Sequence, residues 1–460
     1  MVLKTVFTKK INILAVSCLV AIVAISLMKS AMELEDAEQA YFSQWLRLGY
    51  DDQPPLFTWL QYLVNRILGI TAVSFSLLRG LIFASILLVL HRFSRRYLKE
   101  VSRSNLVIFS LALIPVFIDF TFRRLSHTSL LCLLVVITYM VLQKLIEKKT
   151  WGNYVLLGFI VGLGMLAKYN YIMLLASLVL SFFMDQDIRR ILWHKYIFLA
   201  IGITVVIITP HFYWLFSHQD FMRELQSSVE LKTAQVSEDA IPILSPFLAM
   251  LKNIVKIIVP LVFVIGIARV MKKVSLSFGR NDWLVKMLFA QLVVILLFFV
   301  LIGVQKTEER WFLPLLLPFV PLLVKSIQFL NLKKWESYGF IIFLVVIGVQ
   351  TVRTPIEKFL NIPSDVHFGF QPISDLLTTQ FENKIWILPN VTYGGNIKLL
   401  HPSKAVFSLD DFSLPKTKIE HKEAVVVIIG KENLKNSIPI DSIIGFGRHQ
   451  ENIYFLYNND

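Results

Sequence analysis

Residues 153 to 185 read NYVLLGFIVGLGMLAKYNYIMLLASLVLSFFMD, which is two apolar runs on either side of one lysine, Lys168. Similar runs recur along the chain, and an apolar helix of about 20 residues is long enough to cross the ~30 Å hydrocarbon layer of a bilayer. Buried core helices would explain one or two such runs, but not about eleven. The stretch therefore predicts two membrane-spanning helices joined by a very short turn, in a chain with many spans.

The other apolar runs extend this prediction over residues 1–354. All the runs, including the two quoted, lie near 11–28, 72–91, 105–121, 128–144, 153–167, 169–185, 195–216, 248–268, 284–304, 311–330 and 338–353. The composition agrees, because 55% of the 460 residues are hydrophobic and 17% are charged, whereas about a quarter are charged in soluble proteins. We expect an α-helical polytopic membrane domain with about 11 transmembrane helices.

The charged loops predict the orientation of these helices. Lysine and arginine are concentrated in the loops at 92–103, 144–149, 189–195, 269–280 and 325–334. The two longest of the other loops are rich in aspartate and glutamate instead. Because basic loops face the cytoplasm, the N-terminus is predicted inside and the C-terminal tail outside. The same rule explains the net charge of +14 without a nucleic-acid partner.

The sequence pattern changes at about Pro355, where the long apolar runs end. Short β-rich runs follow at 384–388, 405–408, 424–429, 443–446 and 453–457, separated by turn residues and short helical segments. This pattern predicts a small extramembrane α/β domain over residues 355–460. Within it, the Tyr393-Gly394-Gly395 segment is interpreted as a turn, with a ligand-holding loop as the alternative.

The first long outer loop contains the most suggestive chemistry. Two amphipathic segments, Ala40–Leu48 and a helix that begins at Pro54, are predicted to lie in the membrane interface. Just before them, Glu35, Asp36 and Glu38 form a cluster of carboxylates. Acids at a membrane edge either act as catalytic bases or form a solvated acidic helix start, and spacing alone leaves both readings open.

The same loop resembles that of a known family. Residues 34–39 (LEDAEQ) and 43–61 (SQWLRLGYDDQPPLFTWLQ) resemble the first outer loop of bacterial GT-C glycosyltransferases related to protein O-mannosyltransferases, lipid A aminoarabinose transferases and rhizobial lipopolysaccharide galacturonosyltransferases. Further segments of the membrane part resemble this family: Leu125–Thr128, Gly162–Asn170, Pro210–His211, and Glu309–Trp311 with Pro314. The resemblance covers nearly all of the membrane part, and it does not identify the tail.

The resemblance implies an activity and its partners. Members of the family transfer a sugar from a polyprenyl-phosphate donor to an acceptor outside the membrane, without a nucleotide sugar. Such a site needs an acid for the acceptor proton, cations for the phosphate and an apolar groove for the lipid. The implied acceptor is lipid A or lipopolysaccharide, another envelope polysaccharide, or protein. The implied location is the bacterial inner membrane, with the active site and the C-terminal domain on the periplasmic side.

Residue roles follow from the resemblance for the acidic loop. Asp36 is the predicted catalytic acid, and Glu35 is the substitute, because the family usually has Asp-Glu where this chain has Glu35-Asp36. Glu38, Gln39 and Tyr41 are predicted to support the acid or to bind the acceptor. Some relatives bind a divalent metal ion and others need none, so we predict no required metal and no other cofactor.

Outward-facing cations are the predicted ligands of the donor phosphate: Lys168, Arg310, Arg123, Arg124 and Lys306. Lys168 is the most informative, because a charge deep in the membrane costs ~2.5 to 3.5 kcal/mol, although a lysine can also snorkel to the surface. Relatives often have Arg-Asp at 123–124, so a second acid is missing here.

Four more outward-facing residues are predicted to lie near the phosphate: His127, Tyr169, Asn170 and His211. The two histidines bind phosphate, ligate a metal or form hydrogen bonds within the helix bundle. Because they are far apart in sequence, they predict no metal site.

Other functions fit parts of the sequence. Charged residues near spans also line the paths of transporters and flippases of lipid-linked sugars, but the spans lack matching Gly/Pro breaks in two halves. An O-antigen ligase or polymerase-like enzyme would also act outside on lipid-linked sugars. A structural scaffold would not require the amphipathic loop. The sequence therefore favours a transferase.

Overall fold

The chain divides into two compact units. The computed structural model describes residues 9–50, 53–124, 126–217, 244–276, 282–302, 307–362, 364–411, 424–429, 437–439 and 453–457. Unit 1 consists of Met1–Cys18 and Leu81–Ile347, and unit 2 consists of Leu19–Gly80 and Gly348–Asp460. The predicted boundary after residue 354 therefore falls within unit 2, which also includes the acidic outer loop.

Helices dominate the described residues. They are α1 (Lys9–Met28), α2 (Leu34–Phe42), α3 (Leu56–Leu68), α4 (Ala72–Leu98), α5 (Val101–Ser110), α6 (Ser126–Glu147), α7 (Trp151–Ala167), α8 (Tyr171–Met184), α9 (Gln186–Leu192), α10 (Ile197–Ser217), α11 (Leu244–Val270), α12 (Trp283–Ile302), α13 (Glu309–Leu316), α14 (Val320–Ser326), α15 (Leu332–Phe359), α16 (Gln371–Phe381) and α17 (Val391–Leu400). Each predicted apolar run overlaps at least one helix among the described residues.

Length and composition identify the membrane-crossing helices. Among the described residues, seven helices are long and apolar enough to span: α1, α4, α6, α10, α11, α12 and α15. The pair α8 and α9 adds an eighth span if it is counted as one, although it bends by 117°. Shorter apolar helices occupy Val101–Leu113 and Trp151–Ala167. The prediction of an α-helical polytopic membrane protein is confirmed.

Two of the predicted spans are interrupted. In the run at 105–121, α5 ends at Ser110 and is followed by a 3₁₀ turn and a π turn. In the run at 311–330, α13 and α14 are separated by the 3₁₀ turn Leu317–Phe319. Proline lacks a backbone N–H and cannot continue the hydrogen-bond ladder, and Pro314, Pro318 and Pro321 lie in this second run.

Small residues let two helices of unit 1 approach closely. A Cβ atom added at Gly158 would lie 2.8 Å from the Cα atom of Ala200, and one at Gly162 would lie 2.9 Å from the Cβ atom of Ile207. The hydroxyl of Thr204 donates to the carbonyl oxygen of Gly158 at 3.0 Å. Close backbone contact through small residues is typical of helix pairs in membranes, and here it joins α7 to α10.

Strands occur in both units. Unit 1 has the antiparallel pair β1 (Val274–Leu276) and β2 (Ile327–Phe329). Unit 2 has β3 (Ile385–Leu388), β4 (Val406–Ser408), β5 (Ala424–Ile429), β6 (Ser437–Pro439) and β7 (Ile453–Tyr457), in a five-stranded sheet of order β4-β3-β5-β7-β6. Strand β3 is parallel to β4 and β5, whereas β7 is antiparallel to β5 and β6.

The sheet and its helices form the predicted α/β domain. Buried Trp386 of β3 and Val425 of β5 pack with Ile373 and Leu377 of α16 in one apolar core. The fold class predicted for the tail is confirmed. The predicted strand at 443–446 lies outside the described residues, and β6 is an element that the sequence pattern did not predict.

The Tyr393-Gly394-Gly395 segment is helical, so its interpretation as a turn is wrong. It lies in the first half of α17, which begins directly after Asn390. The side-chain oxygen of Asn390 accepts a hydrogen bond from the backbone N–H of Tyr393 at 3.0 Å. Asparagine is a favoured N-cap residue, and this cap starts a helix where the glycine pair alone suggested a turn.

Candidate functional site

The helix α2 carries the predicted catalytic acids in its first turn. Asp36 is buried, with 8% of its surface exposed. It forms an ion pair with Arg79, which lies two turns into α4 and is 3% exposed. Glu35 and Glu38 are half-buried. A buried carboxylate paired with a guanidinium has a fixed position and orientation, so Asp36 is firmly held by Arg79.

Arg79 was not among the residues that the sequence singled out. It lies in the apolar run at 72–91, where it is the only Lys, Arg, Asp or Glu. Charged residues within membrane spans are costly, and they usually belong to a functional site. The single charged residue in this apolar run therefore marks Arg79 as a candidate site residue from the sequence alone. Its ion pair with Asp36 of the acidic loop accounts for a charge at this position.

A buried polar network connects α2 to the next two helices. The hydroxyl of Thr58 donates to the side-chain oxygen of Gln39 at 2.9 Å. Asn65 joins the helices by donating to Ser43 at 2.8 Å and accepting from Ser74 at 2.8 Å. Gln39, predicted as a support residue, therefore takes part in positioning the acidic helix.

Tyr41, the other predicted support residue on α2, faces the C-terminal part of unit 2. Its hydroxyl donates to a carboxylate oxygen of Asp411 at 2.9 Å, and Arg47 lies 3.2 Å from the same oxygen. Burial, and then the negative charge of Asp411, raise the pKa of Tyr41 well above its ordinary value. The hydroxyl therefore keeps its proton and remains a donor at physiological pH.

In unit 1, the predicted phosphate ligands lie around the start of α6. The ammonium group of half-buried Lys168 donates to the hydroxyl of Thr128 at 3.0 Å. Thr128 and its neighbour His127 are buried, and Arg123 and Arg124 precede this helix directly. The turn after α7 and the start of α6 therefore meet at Lys168.

A second contact involves Tyr169 and His211. The hydroxyl of Tyr169 and the Nε2 atom of His211 are 3.0 Å apart, and their rings are stacked with centroids 6.0 Å apart. His211 also stacks on Trp214. The close pairing of α7 with α10 positions this contact, while Asn170 stands half-buried at the start of α8. The structure thus gives His211 a hydrogen bond within the helix bundle, one of the roles that the sequence left open.

The remaining predicted cations lie near α13. Arg310 is half-buried in the first turn of α13 and forms an ion pair with Glu308. The neighbouring Glu309 accepts from Lys256 of α11 at 2.7 Å. Lys306 lies outside the described residues. The participation of Arg310 in phosphate binding stays a prediction.

A large apolar cavity lies within unit 1. Its volume is about 690 Å³, and the residues that line it include Ile257 and Leu261 of α11, Leu288 and Leu292 of α12, and Leu316 of α13. Aliphatic side chains on three helices offer a lipid chain the kind of surface that the bilayer interior offers. The cavity therefore has the chemistry of a hydrocarbon-binding groove.

Comparison with known protein families gives a match over the membrane part. Residues 52–214 match the family described as dolichyl-phosphate-mannose-protein mannosyltransferase. Two similar proteins are lipopolysaccharide core galacturonosyltransferases of Rhizobium johnstonii. RgtB is 24% identical over 83% of this chain and 78% of its own length, and RgtA is 26% identical over 90% and 84%.

Comparison with solved structures identifies the fold. The crystal structure of ArnT from Cupriavidus metallidurans bound to undecaprenyl phosphate has a TM-score of 0.62, with 96% of this chain and 97% of that chain covered at 12% identity. The apo form of ArnT has a TM-score of 0.59 with the same coverage and identity. The likeness extends over both units and therefore includes the C-terminal α/β domain.

Proposed function

We propose that this chain is a membrane glycosyltransferase of the GT-C superfamily, and that it transfers a sugar from a polyprenyl-phosphate donor to an envelope acceptor at the outer face of the bacterial inner membrane. The ArnT structure with undecaprenyl phosphate supports the donor class. The two rhizobial relatives, named for the lipopolysaccharide core, support the acceptor class. Lipopolysaccharide core is therefore the first acceptor to test, and galacturonic acid is the first sugar.

The observation that carries this proposal is the buried ion pair between Asp36 and Arg79 at the start of the outer-loop helix. In the proposed reaction, a hydroxyl oxygen of the acceptor attacks the anomeric carbon of the sugar. Asp36 takes the hydroxyl proton, the bond from carbon to the phosphate oxygen breaks, and the lipid phosphate leaves as an anion. Arg79 keeps the carboxylate in place. Glu35 is the alternative base, because it occupies the first acidic position of the family motif.

Cations of unit 1 are proposed to stabilise the leaving phosphate. Lys168 is the primary candidate, since its hydrogen bond to Thr128 orients the ammonium group before a ligand arrives. Arg123 and Arg124, directly before α6, are proposed to add positive charge. Preorganised cations stabilise charge that develops in a transition state. We propose that these side chains act without a required metal ion, and that the apolar cavity of unit 1 holds the lipid chain.

The test is transfer by the purified protein reconstituted in liposomes. A polyprenyl-phosphate-linked galacturonic acid and lipopolysaccharide core are supplied, and the release of polyprenyl phosphate is measured. Asp36→Asn should lower kcat by ~10²-fold or more, because it removes the base. Asp375→Asn is the matched control, since this exposed acid lies on α16 in the same unit. Its activity should equal that of the wild type.

Three outcomes would contradict parts of the proposal. Full activity in both Asp36→Asn and Glu35→Gln would show that neither acid is the base. Transport of a labelled lipid-linked sugar across the bilayer without transfer would identify a flippase instead. Transfer from a nucleotide sugar, with none from the lipid donor, would overturn the proposed donor class.

A further inference from the structure

The C-terminal α/β domain packs directly on the acidic helix of unit 2. Helix α17 lies against α2 at the glycine pair. A Cβ atom added at Gly394 would lie 2.8 Å from the ring of Tyr41, and one added at Gly395 would collide with the carbonyl oxygen of Ala37. Ala37 is the residue next to Asp36. Only glycine allows the two helices to approach this closely.

Asn396 fixes the chain at the entrance to α2. Its side-chain oxygen accepts from the backbone N–H of Met32 at 2.8 Å, and its side-chain nitrogen lies 3.3 Å from the carbonyl oxygen of Met32. The side chain is almost completely buried, with 3% of its surface exposed. Met32 stands two residues before α2 begins, so this pair of hydrogen bonds sets where the helix starts.

A second set of contacts holds the segment that follows α2. Gln44 makes two hydrogen bonds with the backbone of Val406 in β4, at 3.2 and 3.1 Å. Trp45 stacks on Phe407 with ring centroids 5.6 Å apart. Tyr41 donates to Asp411 just beyond this strand. The domain thus holds the acidic loop before, along and after the helix.

The helix α2 needs such support. It has nine residues, and isolated helices shorter than about 12–15 residues are marginal in water. Its place is therefore decided by what it packs against. Within unit 2 these partners are the polar network of α3 and α4 on one side and α17 with β4 on the other.

We propose that the C-terminal domain is a positioning part of the transfer site, with Gly395 and Asn396 as the residues that set the place of α2 and thereby orient its acids. The inference rests on the proposed function, because it assigns a role toward the same acids. It differs from a purely stabilising role, which would change how much folded protein is present without changing the turnover of the folded molecules.

The first test is Gly395→Ala in the full-length protein, with Gly369→Ala as the matched control, because a Cβ atom at Gly369 meets nothing within 4 Å. Alanine favours the helical state of α17, so this helix should persist while α2 is displaced. We expect kcat to fall about 10- to 100-fold, the KM for the lipid donor to stay within about twofold, and amide hydrogen exchange in residues 34–42 to accelerate. The control should match the wild type in all three.

Two substitutions of Asn396 provide an independent test of the same role. Asn396→Asp keeps the acceptor for Met32 N–H but places a buried carboxylate against the carbonyl oxygens of Met32 and Thr392, whereas Asn396→Ala loses the hydrogen bonds without adding a charge. Because an unpaired buried charge costs more than a lost hydrogen bond, the loss of kcat and the acceleration of exchange in α2 should be larger for the aspartate than for the alanine. Exchange in the strand β5 serves as the measure of an intact domain, and it should stay at the wild-type level in both variants.

Hydrogen exchange in α2 and the measured turnover together distinguish a failure of the positioning role from a failure of the proposed function. If exchange in α2 is unchanged in Gly395→Ala and Asn396→Ala, the positioning role is overturned whatever the activity. If α2 is loosened and kcat is unchanged, the role in turnover is overturned. If the wild type releases no polyprenyl phosphate, the proposed function fails, while the exchange data still decide whether the domain holds the acidic helix.

Discussion

At the scale of single residues, the pair formed by Asp36 and Arg79 has the largest predicted energetic consequence. Both side chains are buried. Removing one partner of a buried ion pair leaves the other charge without compensation, which costs roughly 3–5 kcal/mol. Replacing both partners together costs much less, because no buried charge remains.

Arg79→Met should therefore destabilise the protein by roughly 3–5 kcal/mol, and the double variant Asp36→Asn with Arg79→Met should recover a large part of that loss. The measurement is denaturant unfolding in detergent. Arg66→Met is the control, because this exposed arginine lies on α3 in the same unit, and its effect should stay within about 0.5 kcal/mol. Equal stability of Arg79→Met and the wild type would show that the pair contributes nothing to folding.

The sequence identified part of this neighbourhood. The family motif pointed to Asp36, Gln39 and Tyr41, and the structure gives all three defined polar contacts in unit 2. Asn396 and Asp411 were not predicted, because their partners in the acidic loop lie 364 and 370 residues away. No local periodicity or motif spacing encodes such a pairing.

At the scale of elements, glycine residues of α7 allow this helix to pack closely against α10. Gly158 faces the backbone of Ala200, and the same helix pair positions the contact between Tyr169 and His211. A methyl group at this position would force the two helices apart. Overpacking of a close contact typically costs about 1–3 kcal/mol.

We expect Gly158→Ala to lower the free energy of unfolding by about 1–3 kcal/mol. Gly152→Ala in the same helix should have no such cost, since a Cβ atom there meets nothing within 4 Å. Thermal unfolding in one detergent compares the two variants. The close-packing argument would be refuted by a Gly158→Ala variant that is as stable as Gly152→Ala.

Lys398 in α17 predicts a pH dependence. Its ammonium group donates to the carbonyl oxygens of Pro402 and Lys404 at 2.8 and 2.6 Å, and burial lowers its pKa to about 8. An unfolded lysine has a pKa of about 10.4. Between these values the unfolded chain binds more protons than the folded chain, so stability should rise with pH over that window.

The rise should be on the order of 1–3 kcal/mol between about pH 8 and 10.4, and Lys398→Met should remove most of it. Hydrogen exchange rates in α17, corrected for the intrinsic effect of pH, provide the measurement. A wild-type profile that is flat over this window, or a fall in stability, would contradict the assignment of the shift to Lys398.

The length of each apolar run predicted where a helix lies better than it predicted where that helix is interrupted. A run of suitable length, such as 72–91, gave the helix α4 directly. The run at 311–330 met the same criterion but contains Pro314, Pro318 and Pro321, and it forms two short helices. The three prolines were visible in the sequence. How far each one breaks a helix depends on the neighbours that satisfy the released carbonyl groups, and this information is not local.

At the scale of the whole molecule, the charge asymmetry of the loops predicts one orientation: basic loops in the cytoplasm and the C-terminal domain outside. Introduced cysteines can test it, because the native Cys18 and Cys132 are both buried. In spheroplasts, an impermeant maleimide should label Ser403→Cys readily and Lys148→Cys only after permeabilisation. The reverse pattern would invert the proposed topology and move the acidic loop to the cytoplasmic face.

The contact between Met32 and Asn396 also has a consequence for biosynthesis. A ribosome that adds ~5–20 residues per second makes the 364 residues that separate them in roughly 20–70 s. During that interval the acidic loop has already been synthesised, while its docking partner has not yet been translated. A nascent or prematurely terminated chain therefore lacks the support for this loop, and assembly of the proposed transfer site is among the last steps in the maturation of each molecule.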